Sequence, residues 1–275
     1  MDKDPTRERP PEDTEAPKPP PKDDGVGGME PLINCKLPSQ VLVCSRRNSG
    51  KTTMVASLLY QWLKRGRFAS HNVIVFSATA AHNDEYAFLP KENVRHGWDE
   101  ELCRKLIQWQ KRRLALKKKQ ATRANVSVHL PGLCFVLDDI VGTKGVDTAH
   151  SPVLRYLYCS SRHIKISCIL CSQLGRVITN PTIRSQSDYV LTSSLASDQL
   201  DSVWKITSGM TWREFLKRVQ DLDDYRFLMY DSVIASGNRW HEFKAPLAPK
   251  FRIEFKNQKK AKTKCAAKKE CTCDK

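Results

Sequence analysis

Three observations in the sequence predict an α/β fold: a mainly parallel sheet with helices on both faces. Short, continuous runs of apolar and β-branched residues recur along the chain. Segments with helical apolar spacing lie between several of them. The runs do not alternate apolar with polar, so the strands are buried on both faces, as in parallel sheets. The 275 residues suffice for one such domain with tails, and 40% apolar residues can fill its core.

The elements follow in order. QVLVCS (40–45) reads as a first strand. A helix over 51–64 follows, with Val55, Leu58, Leu59 and Trp62 at helical spacing. NVIVFSA (72–78) and LCFVLDDI (133–140) are the second and third strands. SPVLRYLYCSSR is helical, and IKISCILCSQ (164–173) and DYVLTSS (188–194) are the fourth and fifth strands. Helices near 197–206 and 211–221 precede YRFLMYDS (225–232), which closes the series. Residues 1–32 are rich in proline and charge, a composition that buries too little surface to offset the entropy of ordering, so a disordered tail is expected there. Residues 33–255 form the predicted domain, and 256–275 form a basic tail rich in lysine and cysteine.

Charge narrows the partners. The chain carries +16, yet residues 1–30 hold nine acidic and five basic residues, which leaves +20 for the rest. A strongly basic body suits a polyanion. The charge concentrates in a helical insertion at 98–125, where RKLIQWQKRRLALKKKQATR holds nine basic residues and no carboxylate occurs from Leu102 to Leu137. Leu102, Leu106 and Trp109 define the expected apolar stripe, which leaves a basic face to meet phosphates. No apolar run approaches the roughly 18 residues of a membrane span, and the charged N-terminus is no secretory signal. A soluble, intracellular protein without a membrane partner is expected. Its ten cysteines show no framework, and the Cys168–Cys171 pair sits in an apolar run that predicts core packing. Cys265, Cys271 and Cys273 are at most weak zinc candidates.

SRRNSGKTT (45–53) carries the chemistry. A phosphate-binding loop, G-x-x-x-x-G-K-[ST], sits between a buried strand and a helix, as this stretch does. Ser45, Arg46 and Arg47 open the loop, and Asn48 and Ser49 continue it. Gly50 permits close backbone approach, Lys51 supplies a point charge for the β- and γ-phosphates, and the Thr52 hydroxyl is short enough to hold Mg2+. Thr53 continues into the helix, whose N-terminus favours anions. Ser45 stands where the pattern has glycine. CFVLDD (134–139) ends a buried strand in two carboxylates, which suits Asp138 to Mg2+ and Asp139 to the attacking water. Gln173 ends the next strand as a candidate phosphate sensor, and Arg162, Arg176 and Arg184 are candidates for an arginine offered to a neighbouring subunit. Strand, loop, helix and Asp pair in this order make an NTPase.

SGKTT, VLDDI, SSRHIKISCILCSQ and NPTIRSQSDYVLTSS together resemble the FtsK–HerA superfamily of DNA-pumping ATPases, and in particular the poxvirus-type genome-packaging ATPases. FLKRVQDLDDYRFLMYDS and RWHEFKAP extend the resemblance to about residues 38–245. The resemblance implies a RecA-like P-loop core using ATP and Mg2+. It implies Lys51 and Thr52 at the phosphates and metal, Asp138 on Mg2+, Asp139 as the catalytic carboxylate, Gln173 as sensor, and Arg184 at a recurrent arginine position. It further implies a homo-oligomeric ring, pentamer or hexamer, moving double-stranded DNA with capsid proteins as partners. An infected host cell, at the nucleus or a viral assembly site, or the virion itself, is the expected location. Ser45 and the basic insertion depart from the family pattern. A helicase or DNA-transfer ATPase of the same superfamily is the main alternative. A DNA-binding protein with a degenerate loop rests on Ser45 alone. A GTPase is excluded because TKGVD follows the Asp pair too closely to serve as a base-reading motif.

Overall fold

The computed structural model describes residues 29–80, 84–124, 131–140, 151–173, 181–207 and 209–247. Among them, β1 (Gln40–Cys44), β2 (Val73–Ser77), β3 (Val94–His96), β4 (Leu133–Asp138), β5 (Ile166–Ser172), β6 (Tyr189–Thr192), β7 (Arg226–Asp231) and β8 (Trp240–Lys244) form one sheet. Its order is β3-β2-β4-β5-β1-β6-β7-β8. The six strands from β3 to β6 pair in parallel, and β7 and β8 are added antiparallel.

The predicted strands are all present. Two more, β3 and β8, join them at the two edges. Each gave a weak signal: β3 has only three residues, all at least partly exposed, and β8 buries only Trp240 and Phe243 of its five. Edge strands lack the two-sided burial that makes the central ones readable.

Side chains of successive strand residues point to opposite faces, so each central strand feeds two cores. Val41 and Val43 of β1 face α1 (Glu30–Ile33) and α2 (Lys51–Lys64), packing with Met54, Leu58 and Trp62. Leu42 and Cys44 face the other layer. That layer is built from α3 (Glu100–Ala124), α4 (Pro152–Cys159), α5 (Pro181–Gln186), α6 (Ser197–Trp204) and α7 (Trp212–Gln220). Cys168 and Cys171 fall in opposite cores, because three residues along a strand reverse the face. They are packing residues, as expected, and burial pushes both thiols well above their usual range.

The expected tail boundary at 32/33 needs correction. Met29 and Leu32 are fully buried, and Trp62 Nε1 donates to the carbonyls of Leu32 at 3.3 Å and Ile33 at 3.2 Å. A few apolar residues at the end of a polar tail are enough to close the core over α2. The remainder of both predicted tails, with Cys265, Cys271 and Cys273, lies outside the described residues.

The insertion is a helix, but its stripe differs from the expected one. Cys103, Ile107, Gln110 and Leu114 are buried, while Trp109 is 47% exposed. Trp109 lies beyond the edge of the apolar stripe, with the Arg113 guanidinium 4.8 Å over its ring. The buried position that hydropathy did not reveal is Gln110, whose amide donates to the carbonyls of Pro131 at 2.9 Å and Ile164 at 3.1 Å. Nor are all nine cations uncompensated: Arg104 pairs with Glu100 at 2.6 Å and Lys105 with Glu101 at 3.4 Å, one turn upstream. Arg112, Lys117, Lys118, Lys119 and Arg123 make no ion pair among the described residues.

Candidate functional site

The candidate site lies at the carboxyl ends of β1, β4 and β5. The chain leaves β1 at Cys44, turns through Ser45–Gly50, and enters α2 at Lys51. Two loop residues are left-handed, Asn48 at φ 59° and Gly50 at φ 84°. Ser45 is not left-handed, so this turn does not demand glycine there. Ser45 is fully buried, its N–H donates to the Ser172 carbonyl at 3.2 Å, and its hydroxyl hydrogen-bonds those of Ser49 and Ser193. The Arg46 N–H donates to the Ser194 carbonyl at 3.0 Å. These bonds tie the loop to the ends of β5 and β6, with hydroxyl contacts that glycine cannot make.

Lys51 is 4% exposed, and its ammonium donates to the carbonyls of Ser45 at 3.0 Å and Arg46 at 2.7 Å. One helix residue on, the Thr52 hydroxyl donates to Asp138 Oδ2 at 3.0 Å. That bond crosses β5, which separates β1 from β4 in the sheet. Tyr86, buried in the connection between β2 and β3, donates its hydroxyl to the same oxygen at 3.0 Å. The other carboxylate oxygen, Oδ1, is buried and has no partner among the described residues. Burial and the neighbouring Asp139 charge raise the Asp138 carboxyl to about 6, against lowering by Tyr86, Thr52 and Lys51. A buried carboxylate with an open oxygen beside a hydroxyl fits a hard divalent cation, which binds through oxygen and compensates the buried charge.

Asp139 sits just beyond β4 in a left-handed conformation, φ 52°, which turns it out of the strand direction. Gln173, just beyond β5, donates its amide N–H to Asp139 Oδ2. The structure therefore brings together Lys51, Thr52, Asp138, Asp139 and Gln173 from three sequence segments. Arg47, Thr53, Glu85 and Tyr225 line the same cleft, and Arg46 turns to a second cleft on the other side of the loop. Glu85 Oε2 is buried without a partner among the described residues, which adds an unpaired carboxylate oxygen to the site.

Three of these residues had no motif to announce them. Tyr86 and Glu85 come from an irregular connection, and Tyr225 from the turn before β7. The arginine candidates divide. Arg162 lies among residues leading into β5, at the opposite end of the sheet, where it pairs with Asp188 at 3.1 Å and donates to the Gln186 carbonyl. It buttresses the start of β1, since Asp188 also accepts from the Gln40 N–H at 2.7 Å. The Arg184 backbone belongs to α5; its side chain, and all of Arg176, lie outside the described residues.

The fold recurs in solved structures. The genome-packaging NTPase B204 of Sulfolobus turreted icosahedral virus 2, in complex with AMPPCP, superposes at TM-score 0.51 with 17% identity, over 76% of this chain and 98% of that chain. The fold is that of a RecA-like P-loop NTPase. The cytoplasmic domain of the Type VII secretion ATPase EccC of Thermomonospora curvata matches at TM-score 0.50 and 14% identity, over 76% of this chain and 24% of that chain. The cytoplasmic domain of EssC matches at TM-score 0.51 and 12% identity, over 76% of this chain and 40% of that chain. These neighbours share the fold that the FtsK–HerA resemblance implies. No family model and no curated protein matches the chain.

Proposed function

We propose that this protein is a Mg2+-dependent ATPase whose turnover moves double-stranded DNA, in the manner of a viral genome-packaging motor. The observation that carries the ATPase reading is the Thr52–Asp138 hydrogen bond, which joins the loop helix to the carboxylate strand and leaves Asp138 Oδ1 open.

Each residue then has a task. Lys51, now satisfied by two loop carbonyls, exchanges them for phosphate oxygens when the triphosphate enters. Thr52 and Asp138 would hold the cation, which would supply positive charge to offset that of the triphosphate. Gln173 holds Asp139 in place, and Asp139 orients the attacking water and accepts its proton. Gln173 senses the γ-phosphate through the same amide. Arg184 is the arginine we assign to a neighbouring subunit in a pentameric or hexameric ring.

DNA movement is supported by the net charge of +16 and by Arg112, Lys117, Lys118, Lys119 and Arg123 of α3, which make no ion pair among the described residues. The likeness to B204, itself a genome-packaging NTPase, points the same way. Capsid proteins are the further partners, and the site of viral assembly in an infected cell is the place of action. The deciding measurement is Mg2+-dependent ATP hydrolysis with linear duplex or single-stranded DNA added, next to Lys51→Ala as the blank. Stimulation by duplex supports translocation. Stimulation by single strands alone replaces it with a helicase, and no hydrolysis above the blank removes the ATPase reading.

A further inference from the structure

The residues gathered at β4 and β5 give any bound nucleotide a direction. Asp138, Asp139 and Gln173 all lie on the β5 side of β1, so the reacting end of a triphosphate belongs there. The rest of the nucleotide must then leave the loop on the opposite side of β1, toward β6 and β7.

A second cleft opens on that side. Arg46 and Ser49 form its loop wall, and Leu195, Leu216 and Leu222 give it an apolar floor. Asp223 and Asp224 stand on its rim, where their carboxylates disfavour a second phosphate site. Tyr225 borders both clefts.

The placement of Tyr225 is unusual in three ways. Its large side chain is 53% exposed. Its backbone is left-handed at φ 63°, an uncommon state for a bulky residue. Its ring leans on the loop: a Cβ added to Gly50 would lie 2.6 Å from Tyr225 Cδ1. The conformation is held by its own turn, in which the Arg226 N–H donates to the Asp223 carbonyl at 3.1 Å, and from outside by the Ala245 N–H, which donates to the Tyr225 carbonyl at 3.0 Å. An aromatic face is thus fixed at the loop, next to an apolar floor, where the non-reacting end of the nucleotide must pass.

We propose that this second cleft is the nucleobase subsite, with Tyr225 as the aromatic wall on which the base stacks. The proposal rests on the ATPase reading and adds to it a specificity residue that no phosphate-loop motif contains. An aromatic wall, an apolar floor and a polar rim suit a planar heteroaromatic ring.

Titration calorimetry on the full chain with Mg2+ tests it, using AMPPCP and inorganic tripolyphosphate as the two ligands. Wild type is expected to bind AMPPCP well above tripolyphosphate. Removing one base–aromatic stack in Tyr225→Ala should weaken AMPPCP by about 10- to 100-fold, leaving tripolyphosphate unchanged. Tyr225→Phe keeps the ring and should stay within about threefold of wild type, because stacking uses the π-face. Equal weakening of both ligands in Tyr225→Ala overturns the proposal, since the ring then only shapes the loop. Unchanged AMPPCP affinity in that variant overturns it too. If wild type binds both ligands equally, the base subsite fails while the phosphate site stands. If it binds neither, the ATPase reading fails along with the base subsite.

Discussion

The cleft at the ends of β1, β4 and β5 and the outer face of α3 both carry concentrated charge, but they handle it in opposite ways. In the cleft, Lys51 and Asp138 are nearly inaccessible, at 4% and 1%, and neighbours at about 3 Å define their positions. On α3, Lys117, Lys118 and Lys119 are exposed, and no carboxylate pairs with them among the described residues. A buried charge must be matched by specific partners, so its geometry constrains its use. An exposed charge is solvated and screened, so it specifies the sign of a partner and little of its shape.

That contrast predicts a graded series of effects. The largest belongs to Lys51→Ala, which removes the only buried cation of the cleft among the described residues. Turnover should fall by roughly 100- to 1000-fold, the usual reduction when a donor to developing charge is deleted, as measured by steady-state phosphate release. Fold stability, read from urea unfolding, should change far less than activity.

Asp138→Asn separates function from stability. The unfolded carboxyl loses its proton near 3.8 while the folded one keeps it to about 6. The native state therefore binds more protons across that window, and the carboxyl's contribution to stability falls as pH rises through it. Without Mg2+, Asp138→Asn should gain stability relative to wild type between about pH 4 and 6, by ~2–3 kcal/mol at most, and the gain should stay level above. Mg2+-dependent turnover should fall in the same variant, by less than in Lys51→Ala. A flat difference between the two unfolding curves across pH would show that Asp138 is not a strained buried charge.

Gly50→Ala probes the loop itself. Its φ of 84° and the 2.6 Å approach to the Tyr225 ring both oppose a Cβ. The left-handed state alone costs an L-residue about 1–2 kcal/mol, so a drop of that order in unfolding free energy is expected, with weakened nucleotide binding. The contrasting change is Ser45→Gly, at a position that is not left-handed. It removes the hydroxyl bonds to Ser49 and Ser193 and should cost stability instead of restoring a better loop.

The smallest effect on the fold is expected on α3. Replacing Lys117, Lys118 and Lys119 with glutamine should leave unfolding within about 0.5 kcal/mol of wild type, as is usual for surface changes. It should reduce the log–log salt slope of duplex DNA binding by roughly 0.9 for each phosphate no longer neutralised. An unchanged slope would return α3 to the role of a solvated covering helix.

The parts of the molecule that could be read from sequence share a physical basis. Central strands are buried on both faces, so β1, β2, β4 and β5 show as apolar runs, and α2 falls on its predicted residues 51–64 because its stripe repeats within fourteen residues. Gly50, Lys51 and Thr52 stand out as a candidate phosphate loop because such a loop is a local turn. Asp138, Asp139 and Gln173 were legible because each terminates an apolar strand. Where the signal depended on distant neighbours, it was weak. Trp109 falls on the expected stripe yet is half exposed, and Gln110, off that stripe, is buried because carbonyls 21 and 54 residues away accept from its amide.

Local periodicity and turn chemistry thus determined the α/β class, the phosphate-loop candidate and the carboxylate pair, since those signals depend only on neighbours within one element. Tertiary structure decided the rest. Parallel pairing through β5 carried Asp138 to Thr52 across 86 positions of chain, and the turn before β7 set Tyr225 against Gly50. Contacts of that range arise from strand order and burial, which no local spacing encodes.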